Sequence, residues 1–296
     1  ELIVKVKEPQ LNECAMLKPH HVLFTYLHLA ADPEQAYGLK QSGATAIAYE
    51  TVTADDGTLP LLTPMSEVAG RMSIQVGAFC LLKACGGAGI LPGGASGVEP
   101  AKIVIIGGGV AGTNAAEMAV GLKAEVVVLD RSIKRLRELQ LAFGNQIKAV
   151  YSNSHSIEKH VTSADLVIGS VLIPGAAAPK LVTRGMVTKM RPGSALVDIS
   201  IDQGGCFETS RPTSHESPTY IVDDVVHYCV TNMPGAVART SAFALNNATL
   251  RHVRSLADKG YQQALEEDPH LAAGLNVHAG RITHPVVARA LAAIEK

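Results

Sequence analysis

Short apolar runs alternate with amphipathic stretches along this 296-residue chain, and the alternation is strictest from residue 103 onward. Residues 103–106 (Ile-Val-Ile-Ile) carry no polar position, the pattern of a parallel strand buried on both faces. Downstream, the spacing predicts helices over 114–122, 133–143 and 157–161. Strands are predicted over 125–129, 149–151, 166–169, 195–199 and 228–230. Six parallel strands wound with helices on both faces suit this series.

Upstream, residues 2–7, 22–27 and 46–51 read as strands, and a helix over 33–42 separates the last two. That order predicts a second βαβ unit and a second parallel sheet. Thr63-Pro64-Met65-Ser66-Glu67 marks a helix start, with polar caps and an early acid. Val68, Met72, Val76, Phe79 and Leu82 then give that helix one apolar face. After Pro234 the pattern is helical, over 240–257, 261–267 and 286–295. Packing these helices back on the first segment is the most economical arrangement. It makes residues 1–60 and 239–296 one α/β domain, with residues 61–238 inserted as a doubly wound second.

Length agrees with two domains, each large enough for its own core. Charged residues make up 18% and the formal net charge is −1, which leaves no electrostatic case for nucleic acid or an acidic membrane surface. No apolar run approaches the ~18–20 residues of a membrane span. Cys14, Cys80, Cys85, Cys206 and Cys229 are odd in number and form no C-x-x-C pair, so buried free thiols in a reducing cytosol are expected. No H-E-x-x-H and no close ligand spacing occurs among the eleven histidines, and no metal is expected. The chain opens at Glu1 within a strand-like run, so an N-terminal segment is expected to be missing.

The chemistry begins at Gly107-Gly108-Gly109-Val110-Ala111-Gly112, between the buried strand and a helix. In such a turn Gly107 allows the tight bend, Gly109 lets the backbone approach a pyrophosphate, and Gly112 lets the helix lie close on the strand. Asp130 ends the next strand, eighteen residues past Gly112, where a carboxylate accepts hydrogen bonds from ribose hydroxyls. That carboxylate repels a 2′-phosphate and favours NAD over NADP, although the neighbouring Arg131 is of a type that receives such a phosphate. Ser152 follows a strand of the same sheet and is open to two readings, a cofactor contact or a solvated loop serine. Asp202 follows the strand over 195–199, either facing a bound ligand or bonding its own turn, and Asn232 shares that ambiguity. Lys7 and His28 end strand-like runs. Alone they read as a solvated charge and a structural histidine more readily than as catalytic groups.

Longer motifs change that balance. Val4-Lys5-Val6-Lys7-Glu8-Pro9, Leu23-Phe24-Thr25-Tyr26-Leu27-His28-Leu29-Ala30-Ala31 and Ala48-Tyr49-Glu50-Thr51-Val52 resemble the alanine dehydrogenases. So do Pro64-Met65-Ser66-Glu67-Val68-Ala69-Gly70-Arg71, Asp198-Ile199-Ser200-Ile201-Asp202-Gln203-Gly204-Gly205-Cys206 and Thr231-Asn232-Met233-Pro234-Gly235. The resemblance covers essentially the whole chain. It implies a cytoplasmic NAD enzyme, usually a homohexamer, that interconverts L-alanine with pyruvate and ammonia. By resemblance Lys7 holds the substrate carboxylate and carbonyl, His28 is the general acid/base on the substrate oxygen, and Asp202 handles water or ammonia. Asn232 joins Lys7 at the substrate. Ser66, Arg135, Ser152, Val171, Leu172, Arg211, Val230, Thr231, Asn232 and Met233 match positions lining the cofactor, beside Gly107, Gly109, Gly112 and Asp130.

The family also clamps the substrate carboxylate with an arginine near its N-terminus, in a segment that this sequence does not contain. The soluble NAD-binding part of the proton-translocating transhydrogenases shares the architecture, typically with a glutamate near Asp202. Lys7, His28, Asp202 and Asn232 together favour the dehydrogenase. A non-catalytic NAD-binding remnant is the third reading, motivated by the missing start.

Overall fold

The computed structural model describes residues 1–171 and 178–294. The first segment carries β1 (Leu2–Val4), α1 (Leu11–Met16), β2 (Val22–Thr25), α2 (Pro33–Ser42), β3 (Thr45–Ala48) and α3 (Thr63–Cys80). Next come β4 (Lys102–Ile106), α4 (Val110–Gly121), β5 (Glu125–Asp130), α5 (Ile133–Phe143), β6 (Ile147–Tyr151), α6 (Ser154–Val161) and β7 (Leu166–Gly169). They are followed by α7 (Arg184–Val187), β8 (Ala195–Asp198), β9 (Thr219–Val222) and β10 (Val225–Tyr228). The last segment holds α8 (Ala238–Lys259), α9 (Tyr261–Glu267), α10 (Pro269–Ala272), β11 (Leu275–His278), β12 (Arg281–Ile282) and α11 (Pro285–Ile294). These elements divide into two units, one from residues 1–65 and 239–294, the other from residues 66–171 and 178–238.

The first unit is built on a five-stranded sheet in the order β1-β2-β3-β11-β12. Strands β1 to β3 are parallel, and β11 joins β3 antiparallel. Side chains alternate across a strand, so Leu23, Ala46 and Ala48 enter one core with Leu39 and Val287. Phe24 and Ile47 enter the other, with Leu245, Leu256 and Leu271. Burial on both faces explains why these strands read as apolar runs. They are nevertheless shorter than expected. Past Thr25 the N–H groups of Leu27 and His28 leave the ladder and donate to the Glu50 carboxylate, while residues 49–51 coil into a 3-10 turn. A second difference lies at the other end, where the sequence pattern predicts helices alone. The structure has the hairpin β11–β12, turning on Ala279 and Gly280, both with positive φ (47° and 73°).

The second unit contains seven strands in the order β6-β5-β4-β7-β8-β10-β9. The first six are parallel and β9 pairs antiparallel with β10. Counted along the chain, the parallel six have the order 3-2-1-4-5-6 of dinucleotide-binding folds, which reverses direction between β4 and β7. The last parallel strand is displaced from its expected place at 228–230. It occupies Val225–Tyr228, because the turn at Asp223 and Asp224 returns the chain along β9. Helix α3 buries Val68 and Met72 as its apolar periodicity predicts, but departs from it toward its end at Cys80. Phe79 and Leu82 are exposed, and the helix also presents Gly70 to the start of α4, where a Cβ would stand 2.2 Å from the Ala111 carbonyl oxygen. Backbone contact, made possible by a missing side chain, sets that face.

Among the described residues no helix is long and apolar enough to cross a membrane.

Candidate functional site

Strand β4 delivers the chain into the glycine turn at the point where the sheet order reverses. Gly107 takes φ 101°, and its N–H donates to the Leu129 carbonyl at 2.8 Å. A Cβ on Gly112 would lie 1.8 Å from the Gly107 carbonyl oxygen, so the first turn of α4 rests directly on the bend. At Gly109 a Cβ would meet nothing within 4 Å, and the N-terminus of α4 that it begins has no side-chain cap. Uncapped N–H groups at a helix start beside open space suit an anion. The open side of the turn therefore fits a pyrophosphate. Arg135 braces it from α5, with Nε donating to the Gly108 carbonyl at 2.6 Å and a terminal nitrogen donating to Thr113 Oγ1 at 2.6 Å. Asp130 accepts the Gly108 N–H on Oδ2 and the Ser132 N–H on Oδ1, each at 2.7 Å. Each oxygen keeps a lone pair for a further donor.

The other expected positions follow the ends of the same parallel strands. Ser152 comes after β6, half-buried, its N–H on the Asp130 carbonyl at 2.9 Å. Val171 comes after β7, and a Cβ built on Gly107 would stand 3.2 Å from its Cγ2. Ser66 lies on the first turn of α3, four residues before Gly70 and so on the same face, toward the start of α4. Leu172 lies outside the described residues.

Strand β8 ends on Asp198, which spacing alone did not single out. This fully buried carboxylate accepts the Ser200 N–H at 3.0 Å, the Cys206 N–H at 2.9 Å and the Ser210 hydroxyl at 2.5 Å. Burial pushes its pKa above the usual carboxylate value, and the hydrogen bonds pull it back only in part. Between those bonds the chain forms the 3-10 turn Ile199–Gln203, which holds Asp202 out into solvent. The Asp202 carboxylate faces the Asn232 N–H at 3.3 and 3.5 Å. Asn232 itself is left-handed (φ 55°) and offers its carbonyl to His215 Nε2 at 3.1 Å. Val230 and Met233 are buried, and the Thr231 N–H donates to the Thr213 carbonyl at 3.2 Å. The Arg211 guanidinium is exposed and lies 4.2 Å over the Tyr220 ring.

In the first unit, Lys7, His28 and Glu50 follow β1, β2 and β3, three parallel neighbours, and so leave the same edge of one sheet. Lys7 is exposed, and its Nζ sits 3.1 Å from Glu8 Oε1. The other Glu8 oxygen is buried without a hydrogen-bond partner. His28 is half-buried with φ 50°, and its ring stacks on Tyr26 with centroids 5.7 Å apart. Tyr26 is fixed in turn by its hydroxyl, which donates to the Leu61 carbonyl at 2.6 Å. Glu50 lies within the motif Ala48–Val52, and its spacing from His28 gives no sign of a pairing. It is the acceptor for the His28 N–H at 2.6 Å.

Among the described residues, one side-chain group has metal-ligating composition. Glu1, His20 and His21 bring ligand atoms within 4.8 Å of one another, a proximity that chain spacing hides. His21 Nδ1 already accepts the Lys18 N–H at 3.1 Å, which leaves the proton on Nε2, the nitrogen that faces Glu1. A metal-binding imidazole has the reverse arrangement.

Comparison with known proteins adds the following. Residues 1–69 match the N-terminal domain of the alanine dehydrogenase/PNT family, and residues 73–285 match its C-terminal domain. An alanine dehydrogenase of Halomonas elongata is 62% identical over 290 residues, covering 98% of this chain and 78% of that protein. A solved L-alanine dehydrogenase superposes with TM-score 0.91 at 53% identity, over 99% of this chain and 81% of that one. A transhydrogenase from Sinorhizobium meliloti superposes with TM-score 0.79 at 24% identity, over 95% of this chain and 81% of that one, a likeness of fold.

Proposed function

The chain belongs to the alanine dehydrogenase/PNT family, and from that premise we propose that it catalyses the reversible NAD-dependent oxidative deamination of L-alanine to pyruvate and ammonia. The observation that carries the reading is the placement of the glycine turn, Asp130, Ser152, Val171, Asp202 and residues 230–233. Each follows the carboxyl end of a parallel strand in the sheet that reverses at β4 and β7, where open α/β sheets bind nucleotides. The transhydrogenase neighbour shares the fold at 24% identity, whereas the alanine dehydrogenase of Halomonas elongata is 62% identical, which favours the dehydrogenase reading.

NAD, when bound, supplies the acceptor for the hydride that leaves the alanine α-carbon. The N-terminus of α4 would face its pyrophosphate, Asp130 would accept from its ribose hydroxyls, and Ser66, Arg135, Ser152, Val171, Arg211 and Val230 to Met233 would line it. Lys7 neutralises the substrate carboxylate and orients it, with Asn232 as a further substrate contact. Loss of hydride leaves an iminium on the substrate, to which water adds while Asp202 accepts one of the water's protons, and that proton passes to the amino nitrogen so that it can leave as ammonia. His28 then takes the proton from the resulting hydroxyl as the carbon–nitrogen bond breaks, so that pyruvate, ammonia and one proton leave. Run backward, the same groups deliver that proton to the pyruvate oxygen. The reading includes a homohexameric assembly in the cytoplasm.

The test follows NADH absorbance with a panel of amino acids, using the wild type and the variants His28→Ala and Asp202→Asn. Turnover with L-alanine is expected in the wild type and in neither variant, while all three bind NADH alike. A wild-type rate in either variant removes that residue from its role, and wild-type turnover that ignores alanine removes the substrate.

A further inference from the structure

His28 stands in a backbone conformation that a residue with a side chain seldom adopts, with φ at 50°. Such a residue persists where its surroundings over-determine it. Here the surroundings are the Glu50 carboxylate, the stacked Tyr26 ring and the Ala31 N–H, which donates to the His28 carbonyl at 2.9 Å. Glu50 Oε1 accepts the His28 N–H at 2.6 Å, and both Glu50 oxygens lie 3.2 Å from the Leu27 N–H. The strand ladder β2–β3 ends at Thr25 and Ala48, so these two amides have left the sheet when Glu50 meets them. The carboxylate stands in for the missing strand partner. On the other side of the residue, the Tyr26 ring lies almost parallel to the imidazole at 7°, with the Tyr26 hydroxyl anchored on Leu61. The imidazole is thus aimed from two directions. One is a stacked face and the other is a charge-assisted grip on the main chain.

We propose that Glu50 is the positioning residue for His28: it holds the left-handed turn that points the imidazole, and it acts on turnover only through that ring. The proposal rests on the reading of His28 as the proton-transfer group. Glu50 contributes no proton of its own to the reaction. Its carboxylate is engaged with main-chain donors, which restrict it to an accepting role. Gln at this position can keep an oxygen on the His28 N–H but must turn its NH2 toward the Leu27 N–H, and it loses the charge. Glu50→Gln therefore loosens the turn with little change in volume.

The experiment compares Glu50→Gln with the wild type and with His28→Ala. It is read by kcat, by KM for NAD, by the solvent deuterium isotope effect, and by NADH binding and far-UV circular dichroism. Loss of one charge-assisted bond predicts a fall in kcat of about 10- to 100-fold in Glu50→Gln, with KM for NAD unchanged. The isotope effect should rise, because a misaimed base makes proton transfer more nearly rate-limiting. A Glu50→Gln enzyme at the wild-type rate beside an inactive His28→Ala overturns the inference alone. Failure of Glu50→Gln to bind NADH or to keep its far-UV spectrum assigns Glu50 to folding and overturns it as well. His28→Ala at the wild-type rate removes the reading of His28 and this inference with it.

Discussion

Asp198→Asn is a one-atom change with a calculable cost. Oδ1 of Asp198 accepts the Ser200 N–H at 3.0 Å, and Oδ2 accepts the Cys206 N–H at 2.9 Å and the Ser210 hydroxyl at 2.5 Å. A backbone N–H therefore points at each oxygen, and whichever way an asparagine turns, its NH2 meets one of them. A buried donor left without an acceptor costs about 1–3 kcal/mol, and the remaining bonds lose their charge assistance, for a total of about 2–4 kcal/mol. That is less than the roughly 5–15 kcal/mol by which domains are stable, so the variant should fold. Its thermal midpoint should fall by roughly 5–15 °C. The damage should be local, because the two amides bracket the turn that carries Asp202. Hydrogen exchange read by mass spectrometry should show faster exchange in the peptides spanning 199–206 and little change in those from β4 and β5. An unchanged midpoint with unchanged exchange over 199–206 would refute the claim that this carboxylate holds the turn.

Two further outcomes test the glycine turn and the histidines. Gly112→Ala places a methyl 1.8 Å from the Gly107 carbonyl oxygen, so α4 must withdraw from the turn; NADH affinity by fluorescence titration should fall about 10- to 100-fold, and wild-type affinity would show that the approach is not needed. Burial first, and then the neighbouring Arg251, lower the His252 pKa below its ordinary 6.5, so the unfolded chain takes up the proton first; stability is full above about pH 6.5 and declines as pH falls toward the folded value, and melts between about pH 7.5 and 5.5 should be less pH-dependent in His252→Gln.

Much of the second unit was legible because its strands are buried on both faces. Val104, Ile106, Val127, Leu129 and Val167 lie in a single core, so the apolar runs mark those strands closely. Helices Pro33–Ser42 and Ile133–Phe143 begin and end where expected, since each carries its own punctuation. Asp32 and Ser132 cap the starts, and Gly43 and Gly144 close the ends. Elements set by contact with distant chain were not legible. The hairpin β11–β12 turns on Ala279-Gly280 rather than Asn-Gly, and its strand Leu275–His278 gains its meaning only beside Ala46 and Ile47. Helix α3 misled for a related reason. Val68 and Met72 are buried as the spacing suggests, but Phe79 is exposed, and no side-chain pattern announces the close approach of Gly70 to the Ala111 carbonyl.

The candidate site shows the same division, and three carboxylates explain it. Asp130 accepts the N–H groups of Gly108 and Ser132, Asp198 those of Ser200 and Cys206, and Glu50 those of Leu27 and His28. A parallel sheet must leave main-chain donors unpaired wherever a strand runs past its neighbour, and buried donors need acceptors. Each acid supplies one at the carboxyl edge, where the turns that face ligands begin. Only Asp130 announces itself, because the glycine motif fixes how far away its ring-side partner lies in the chain. The partners of Glu50 and Asp198 depend on how far each strand continues before it bends, and that distance is a property of the folded sheet. Residue type predicts that such acids will sit at these edges. The fold decides which turn each one holds, and therefore whether removing it disturbs a cofactor loop, the Asp202 turn or the aim of His28.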